Sequence, residues 1–305
     1  MQNNQNDIAI GTLLKIIATQ LDTVGIEDPE LESEMILAEE LNIPRGRLAA
    51  EPDRIVPGGR VELIERIVER RMKHEPLQYI FGKAYFMNMW FHVGPGVLIP
   101  RPETELLVEK VCREAPSGGE ICDLGTGCGT IALAVAFERP DLKVTGVDIS
   151  LRAMKTAKEN RQEWKLDRVE LLRSDLFSAL PNRRFDYITA NLPYVSPAEY
   201  QQLLPEVKDY EPVLALKAED DGLAIIHRAI TTAPDFMKPD GRIIFEIGET
   251  QGNAVLEMMS ATGKYSDINI IKDYNRHDRF VAGKAKPSKN RITIFNSIVS
   301  FAPAL

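Results

Sequence analysis

Ile121-Cys122-Asp123-Leu124-Gly125-Thr126-Gly127-Cys128-Gly129-Thr130 reads as the end of a strand, a glycine-rich turn and the start of a helix. Three glycines at alternate positions let the backbone turn tightly and approach a ligand, because no Cβ blocks positive φ or the contact itself. An apolar helix-like run follows, Ile131-Ala132-Leu133-Ala134-Val135-Ala136-Phe137, and then a strand-like Lys143-Val144-Thr145-Gly146-Val147 that ends in Asp148. The bland reading is a strand-to-helix turn whose glycines serve packing alone. It leaves two acids, Asp123 and Asp148, without a reason.

Glycine spacing separates the ligands such a turn could hold. A dinucleotide turn reads G-x-G-x-x-G and holds a pyrophosphate on the following helix N-terminus. Here the pattern is Asp-x-Gly-x-Gly-x-Gly. A carboxylate ahead of the first glycine would repel a pyrophosphate and suits a cationic amino-acid group, while an acid ending the second strand accepts hydrogen bonds from ribose hydroxyls. An adenosine carrying an amino acid satisfies both acids, which points to S-adenosyl-L-methionine.

From Gly119 the pattern alternates: strands at 120–124, 143–147, 168–173, 185–190, 241–247, 266–271 and 279–283, with helices from 129 and over 151–163, 222–236 and 250–261. Such alternation predicts an α/β fold, a doubly wound sheet with helices on both faces and its ligands at the carboxyl ends of the strands. Before it, residues 1–75 read as a small helical bundle. Ile8, Leu13, Leu14, Ile17 and Leu21 recur at helical spacing up to Gly25. A second helix opens at Asp28-Pro29, where Asp is expected to cap and Pro fits the first turn. A third runs through Val61, Leu63, Ile64, Ile67 and Val68.

Residues 76–101 read as a linker with a β-hairpin, two short strands around Asn88 that stop at Gly94-Pro95-Gly96. Arg101, Pro102 and Glu103 follow. Arg101 is either a solvated loop charge or a site residue held by the prolines, and pattern alone does not choose. The rest divides into a catalytic domain, 102–283, and a tail, 284–305, which is an edge strand, a partner-binding tail or a disordered end.

The totals set outer limits. A chain of 305 residues with 44% hydrophobic and 27% charged content is ordinary for a globular protein of one large domain or two. A net charge of −8 argues against affinity that rests on phosphate contacts over a wide surface. The first residues lack a basic and then apolar leader, and no run reaches membrane-span length, so a cytoplasmic protein is expected. Cys112, Cys122 and Cys128 form no C-x-x-C pair, and four scattered histidines offer no metal-ligand spacing. Neither disulfide nor metal is expected, and Cys128 reads as a packing residue.

After the strand Phe185-Asp186-Tyr187-Ile188-Thr189-Ala190 comes Asn191-Leu192-Pro193-Tyr194, on the same sheet edge as the glycine turn. This loop suits a planar NH2 acceptor. The nitrogen of such a group delocalises its lone pair and is a weak nucleophile until a site orients it. The Asn191 side-chain oxygen and the Leu192 carbonyl can accept its two protons, Tyr194 can stack on its plane, and Pro193 holds Leu192 extended. A plain strand-ending turn would also use Asn and Pro.

With these motifs the chain resembles the release factor glutamine methyltransferases, the HemK or PrmC family, which methylate the glutamine of the Gly-Gly-Gln motif in class I peptide chain release factors. The resemblance covers roughly residues 8 to 283. It rests most on Pro76-Leu77-Gln78-Tyr79-Ile80, the run Pro95 to Glu105, the loop Asp123 to Gly129, and Phe245-Glu246-Ile247-Gly248. It implies a Rossmann-like class I S-adenosylmethionine-dependent methyltransferase sheet, S-adenosyl-L-homocysteine as product, and a helical N-terminal domain that binds the release factor.

By position it implies that Gly125, Thr126, Gly127, Cys128 and Gly129 hold the methionine moiety, Asp148 beside Ile149 the ribose, and Asp175 and Leu176 the adenine. Asn191, Leu192, Pro193 and Tyr194 would clasp the glutamine amide, with Asn191 also at the cofactor and Arg101, Pro102 and Glu103 on the substrate side. Two positions depart from the family pattern: Leu192 stands where Pro is usual, and Leu176 where an aromatic is often found. A monomer without direct nucleic-acid or membrane binding is expected. The alternatives are an amino-methyltransferase acting on adenine or cytosine of DNA or RNA, since the clasp also fits an exocyclic amine, and a catalytically silent binding module.

Overall fold

The computed structural model describes residues 7–287, which fall into two compact units. The expectations for the tail beyond Pro287 lie outside the described residues.

The first unit takes the described residues up to Pro100 and also Pro197–Leu216. Strand β1 (Ile8–Ala9) pairs antiparallel with β2 (Ile55–Val56), a two-residue contact too short to leave a pattern. Helices Ile10–Thr23, Pro29–Leu41 and Gly58–Arg71 carry the unit's core. Ile10, Leu13, Ile17 and Leu21 form one buried stripe, against which Ile36, Leu37, Val61, Ile64 and Val68 pack. Asp28 does not cap with its side chain as expected. It takes a left-handed φ of 50° with no side-chain hydrogen bond, and Pro29 opens the helix with its fixed φ.

The hairpin is β3 (Lys83–Phe86) and β4 (Met89–His92). Met87 and Asn88 both have positive φ, 46° and 59°, as a two-residue turn matched to strand twist requires. The compact units depart from the expected boundaries, because the hairpin and residues 197–216 group with the helices rather than forming a linker and part of the catalytic domain. The reason is a set of contacts remote in sequence. The Arg71 guanidinium, 3% exposed, bonds both oxygens of Glu32 (2.6 and 2.9 Å) and Glu206 (2.6 Å). Tyr210 Oη donates to the Lys73 carbonyl at 2.7 Å, and the Ile99 N–H donates to Glu211 Oε2 at 3.0 Å.

In the second unit β5 (Glu120–Leu124), β6 (Lys143–Asp148), β7 (Glu170–Arg173), β8 (Phe185–Ala190), β9 (Met237–Glu246), β10 (Tyr265–Lys272) and β11 (Asp278–Ala285) form one sheet. Its order is β10-β11-β9-β8-β5-β6-β7. The strands from β9 to β7 in that order run parallel, β11 is antiparallel to β9, and β10 is antiparallel to β11. Helices Glu105–Glu114, Thr130–Glu138 and Leu151–Glu163 pack together by β5, β6 and β7, while Ala224–Thr232 and Gly252–Ala261 form a second group. Right-handed crossovers on either side of β5 put these groups on opposite faces. The helix expected over 222–236 ends at Thr232 and tightens into a 3-10 turn, Ala233–Phe236, because Pro234 has no N–H to give. No helix among the described residues is long and apolar enough to cross a membrane.

Replacing Arg71 with Ala would leave two acids facing each other in the first unit. The expected loss is about 3 kcal/mol of stability, read by urea denaturation, and an unchanged midpoint would show that the triad does not hold residues 197–216 to the helices.

Candidate active site

Strand order reverses between β5 and β8, since β5 connects outward to β6 and β7 while β8 lies on its other side. The crevice at such a reversal is where open α/β sheets bind ligands. Here the carboxyl ends of β5, β6, β8 and β9 deliver the glycine turn, Asp148, Asn191 and Glu246 to one edge.

The glycine turn is braced from behind. Thr126 N–H donates to the Val147 carbonyl at 2.9 Å, and the buried Asn160 amide donates to the Cys128 carbonyl at 2.9 Å. Asp148 accepts from Gly127 N–H at 2.9 Å on one oxygen and from Ser150 N–H at 2.8 Å on the other. The carboxylate keeps accepting capacity beyond these bonds, and the residue is half-buried, so a ribose hydroxyl can still be accepted. Burial raises the Asp148 carboxyl above its ordinary value, opposed by the N–H groups of Ser150, Gly127 and Ile149. Ile149 leaves a 46% exposed apolar side chain beside it.

Asp123, which its motif position suggested for a cationic group of the ligand, is fully buried in this structure. It lies on a strand buried from both sides, with 0% exposure, and its Oδ1 accepts from Thr189 Oγ1 at 2.8 Å. Its Oδ2 and Thr126 Oγ1 are both buried without an aligned partner among the described residues. Burial pushes the carboxyl up to about 6, against the pull of the Thr126 and Thr189 hydroxyls, and the charge of Asp148 pushes the same way as burial. The residues fit S-adenosyl-L-methionine: two acids border the turn, no basic side chain lies in it, and a sulfonium with an ammonium matches those carboxylates better than a pyrophosphate does.

Asp175 and Leu176 follow β7, as expected. The Asp175 carboxylate pairs with Arg228 at 2.8 Å in an exposed position, and Leu176 has a left-handed φ of 48° and packs on the core. Cys128 is buried and its thiol is raised to about 11 by burial, so the loop uses its backbone and not its sulfur.

The Asn191–Tyr194 loop is held at several points that sequence alone did not single out. Asn191 Nδ2 donates to Thr104 Oγ1 at 3.4 Å, and Thr104 Oγ1 donates to Glu246 Oε2 at 2.7 Å. Gln251 Nε2 donates to the Tyr194 carbonyl at 2.8 Å and to the Asp221 carbonyl at 3.1 Å. Gly222, at φ +84°, lies so close that a Cβ there would meet the Tyr194 oxygen at 2.0 Å. Leu192 is 4% exposed, and a Cβ on Gly125 would stand 3.1 Å from its Cδ2, so turn and loop touch. Arg101 precedes a 3-10 turn, Pro102–Thr104, that contains Glu103, and the charges of both act on Tyr194 and Glu246. Burial raises the Tyr194 phenol to about 12.

Because the folded-state value of Asp123 is raised, its contribution to stability is complete below the ordinary carboxylate value and is lost as pH rises through about 6. Asp123→Asn is expected to shrink the stability difference between acidic and neutral pH. Denaturation midpoints on either side of that value test this, and an undiminished difference would place the titration elsewhere.

Comparison with known proteins agrees with this geometry. A family model described as Methyltransferase small domain matches residues 101–206, and one described as PrmC N-terminal domain matches residues 12–82. The chain is 38% identical over 260 residues to the release factor glutamine methyltransferase of Geobacter sulfurreducens, covering 85% of this chain and 91% of that one. With the enzyme of that name from Vibrio cholerae it shares 36% over 284 residues, covering 92% and 99%. A solved methyltransferase from Pyrococcus furiosus, 18% identical, superposes with a TM-score of 0.50 over 65% of this chain and 89% of that one, which speaks to the fold alone. Identity at this level along nearly the whole length of its relatives places the chain in the release factor glutamine methyltransferase family.

Proposed function

We propose that this chain transfers a methyl group from S-adenosyl-L-methionine to the side-chain amide nitrogen of the glutamine in the Gly-Gly-Gln motif of class I peptide chain release factors. The observation that carries the reading is the Asn191–Tyr194 loop held against the glycine turn in a chain so similar to enzymes of that name.

The cofactor, when bound, supplies an electrophilic methyl group on a positively charged sulfur. The residues Gly125 to Gly129 take its methionine moiety, and Asp148 takes the ribose hydroxyls with its spare lone pairs. Ile149 and Leu176 offer apolar surface to the adenine, beside Asp175. The acceptor glutamine needs two hydrogen-bond acceptors for its two N–H protons. Asn191 Oδ1 serves as one, because its Nδ2 is turned to Thr104, and the Leu192 carbonyl serves as the other. Tyr194 lies against the amide plane, and Arg101, Pro102 and Glu103 line the acceptor side.

Orientation supplies most of the acceleration in this reading, since holding reactants in line replaces an improbable encounter. No obligatory base is needed, because the amide nitrogen becomes strongly acidic as it gains the methyl group and sheds its proton readily. The helical unit binds the release factor, and one copy of the chain holds every residue of the site.

The test is transfer of labelled methyl from S-adenosyl-L-methionine to a purified class I release factor, beside the same factor with its Gly-Gly-Gln glutamine changed to alanine. Label in the first alone is expected. Asn191→Ala is expected to lower turnover by about a hundredfold while calorimetry still detects cofactor binding. Label on DNA or RNA and none on the release factor would overturn the reading.

A further inference from the structure

Asn191 can do its work in only one of two orientations. Flipping its amide by a half-turn exchanges oxygen for NH2, and an NH2 aimed at a glutamine NH2 would set donor against donor. Something must choose, and the choice is made at Thr104.

The Thr104 hydroxyl has a single proton. In this structure it is given to Glu246 Oε2 at 2.7 Å, which leaves Thr104 Oγ1 able only to accept from Asn191 Nδ2 at 3.4 Å. Glu246 is 1% exposed at the carboxyl end of β9, between the sheet and the site. We propose that Glu246, as the carboxylate and through the Thr104 hydroxyl, is the positioning residue that turns the Asn191 oxygen toward the acceptor amide. A protonated Glu246 can instead donate to Thr104, freeing the Thr104 proton to point at Asn191 and favour the flipped amide. The relay thus works in one direction only while Glu246 is charged.

The surroundings hold Glu246 near that switch. Burial raises it to about 7, opposed by the Thr104 hydroxyl, by Arg279 and by Arg101, while Glu103 adds to the rise. Arg279 is itself bonded to Asp273 at 3.3 Å and also faces the Tyr194 phenol. The same carboxylate places negative charge near a nitrogen that becomes more positive as it is methylated, so both of its effects grow with ionisation.

This inference rests on the proposed glutamine reading for its kinetic half, and an observation on the free enzyme keeps the two separable. In the unliganded protein, the Asn191 side-chain NH2 signals in nitrogen-15 NMR spectra are expected to shift with pH around 7 and to stay fixed in Glu246→Gln. In turnover, wild-type kcat is expected to rise as pH climbs through about 7 and then level, while Glu246→Gln loses the inflection. Thr104→Val is expected to cost about tenfold in kcat with cofactor affinity retained, and Thr104→Ser to restore it.

Asn191 signals indifferent to pH in the wild type would overturn the inference, as would an inflection unchanged in Glu246→Gln. Should Thr104→Val fail to fold, the Glu246→Gln profile and the spectra decide alone. A wild type inactive on every release factor would overturn the acceptor assignment, while the spectra would still judge the relay.

Discussion

Everything at the active edge depends on the parallel pairing of β5 with β8. That pairing sets Leu124 opposite Ala190, so the residues that leave the two strands emerge side by side. Gly125 can then approach the Asn191 carbonyl and the Leu192 side chain with only a hydrogen where a Cβ would stand 3.3 and 3.1 Å from them. A substituted residue at 125 would meet both the left-handed φ of 68° and that contact. The glycine turn and the Asn191–Tyr194 loop are therefore registered to one another by backbone hydrogen bonds along their strands, not by flexible side chains.

Two acids buried behind this edge, Asp123 and Glu246, are the least expected part of the structure. Burying an unpaired carboxylate is unfavourable, and each responds with a raised pKa, about 6 and about 7 respectively. Their partners are hydroxyls, Thr189 and Thr104, which relieve part of the desolvation without neutralising the charge. A salt bridge in either place would hold the acid ionised more firmly. The two differ in their charged surroundings: Arg279 and Arg101 pull on Glu246, while the charge acting on Asp123 is that of Asp148.

The sheet and its order of motifs were legible because period and punctuation agree there. The runs at 120–124 and 185–190 became β5 and β8 with those boundaries. Asn88 marked its hairpin because it sits in a turn that demands positive φ. What stayed hidden depends on contacts across long separations. Nothing near Thr104 announces Glu246, which lies 142 residues away, and nothing near Arg71 announces Glu206, 135 residues away. Asp123 misled for a related reason. Its motif position showed that an acid was needed, but only the burial of β5 on both faces shows that the acid lies behind the turn. Gln251 and Gly222 carried a faint signal, three residues after Gly248 and beside a pair of aspartates, with no pattern to connect either to Tyr194.

Leu192 shows how such hidden contacts can replace a local constraint. Pro, which the family resemblance leads one to expect there, would fix φ and stiffen the loop around its carbonyl. Leu has no such restriction, yet its carbonyl is constrained from three sides. Pro193 disfavours the helical region for Leu192, and the Leu192 side chain is buried in the core cluster against Gly125. Two residues on, the Tyr194 carbonyl is held by Gln251 and closed in by Gly222. The freedom that Pro would remove from the chain locally is removed here by burial of the side chain, which leaves the backbone oxygen fixed without a proline ring.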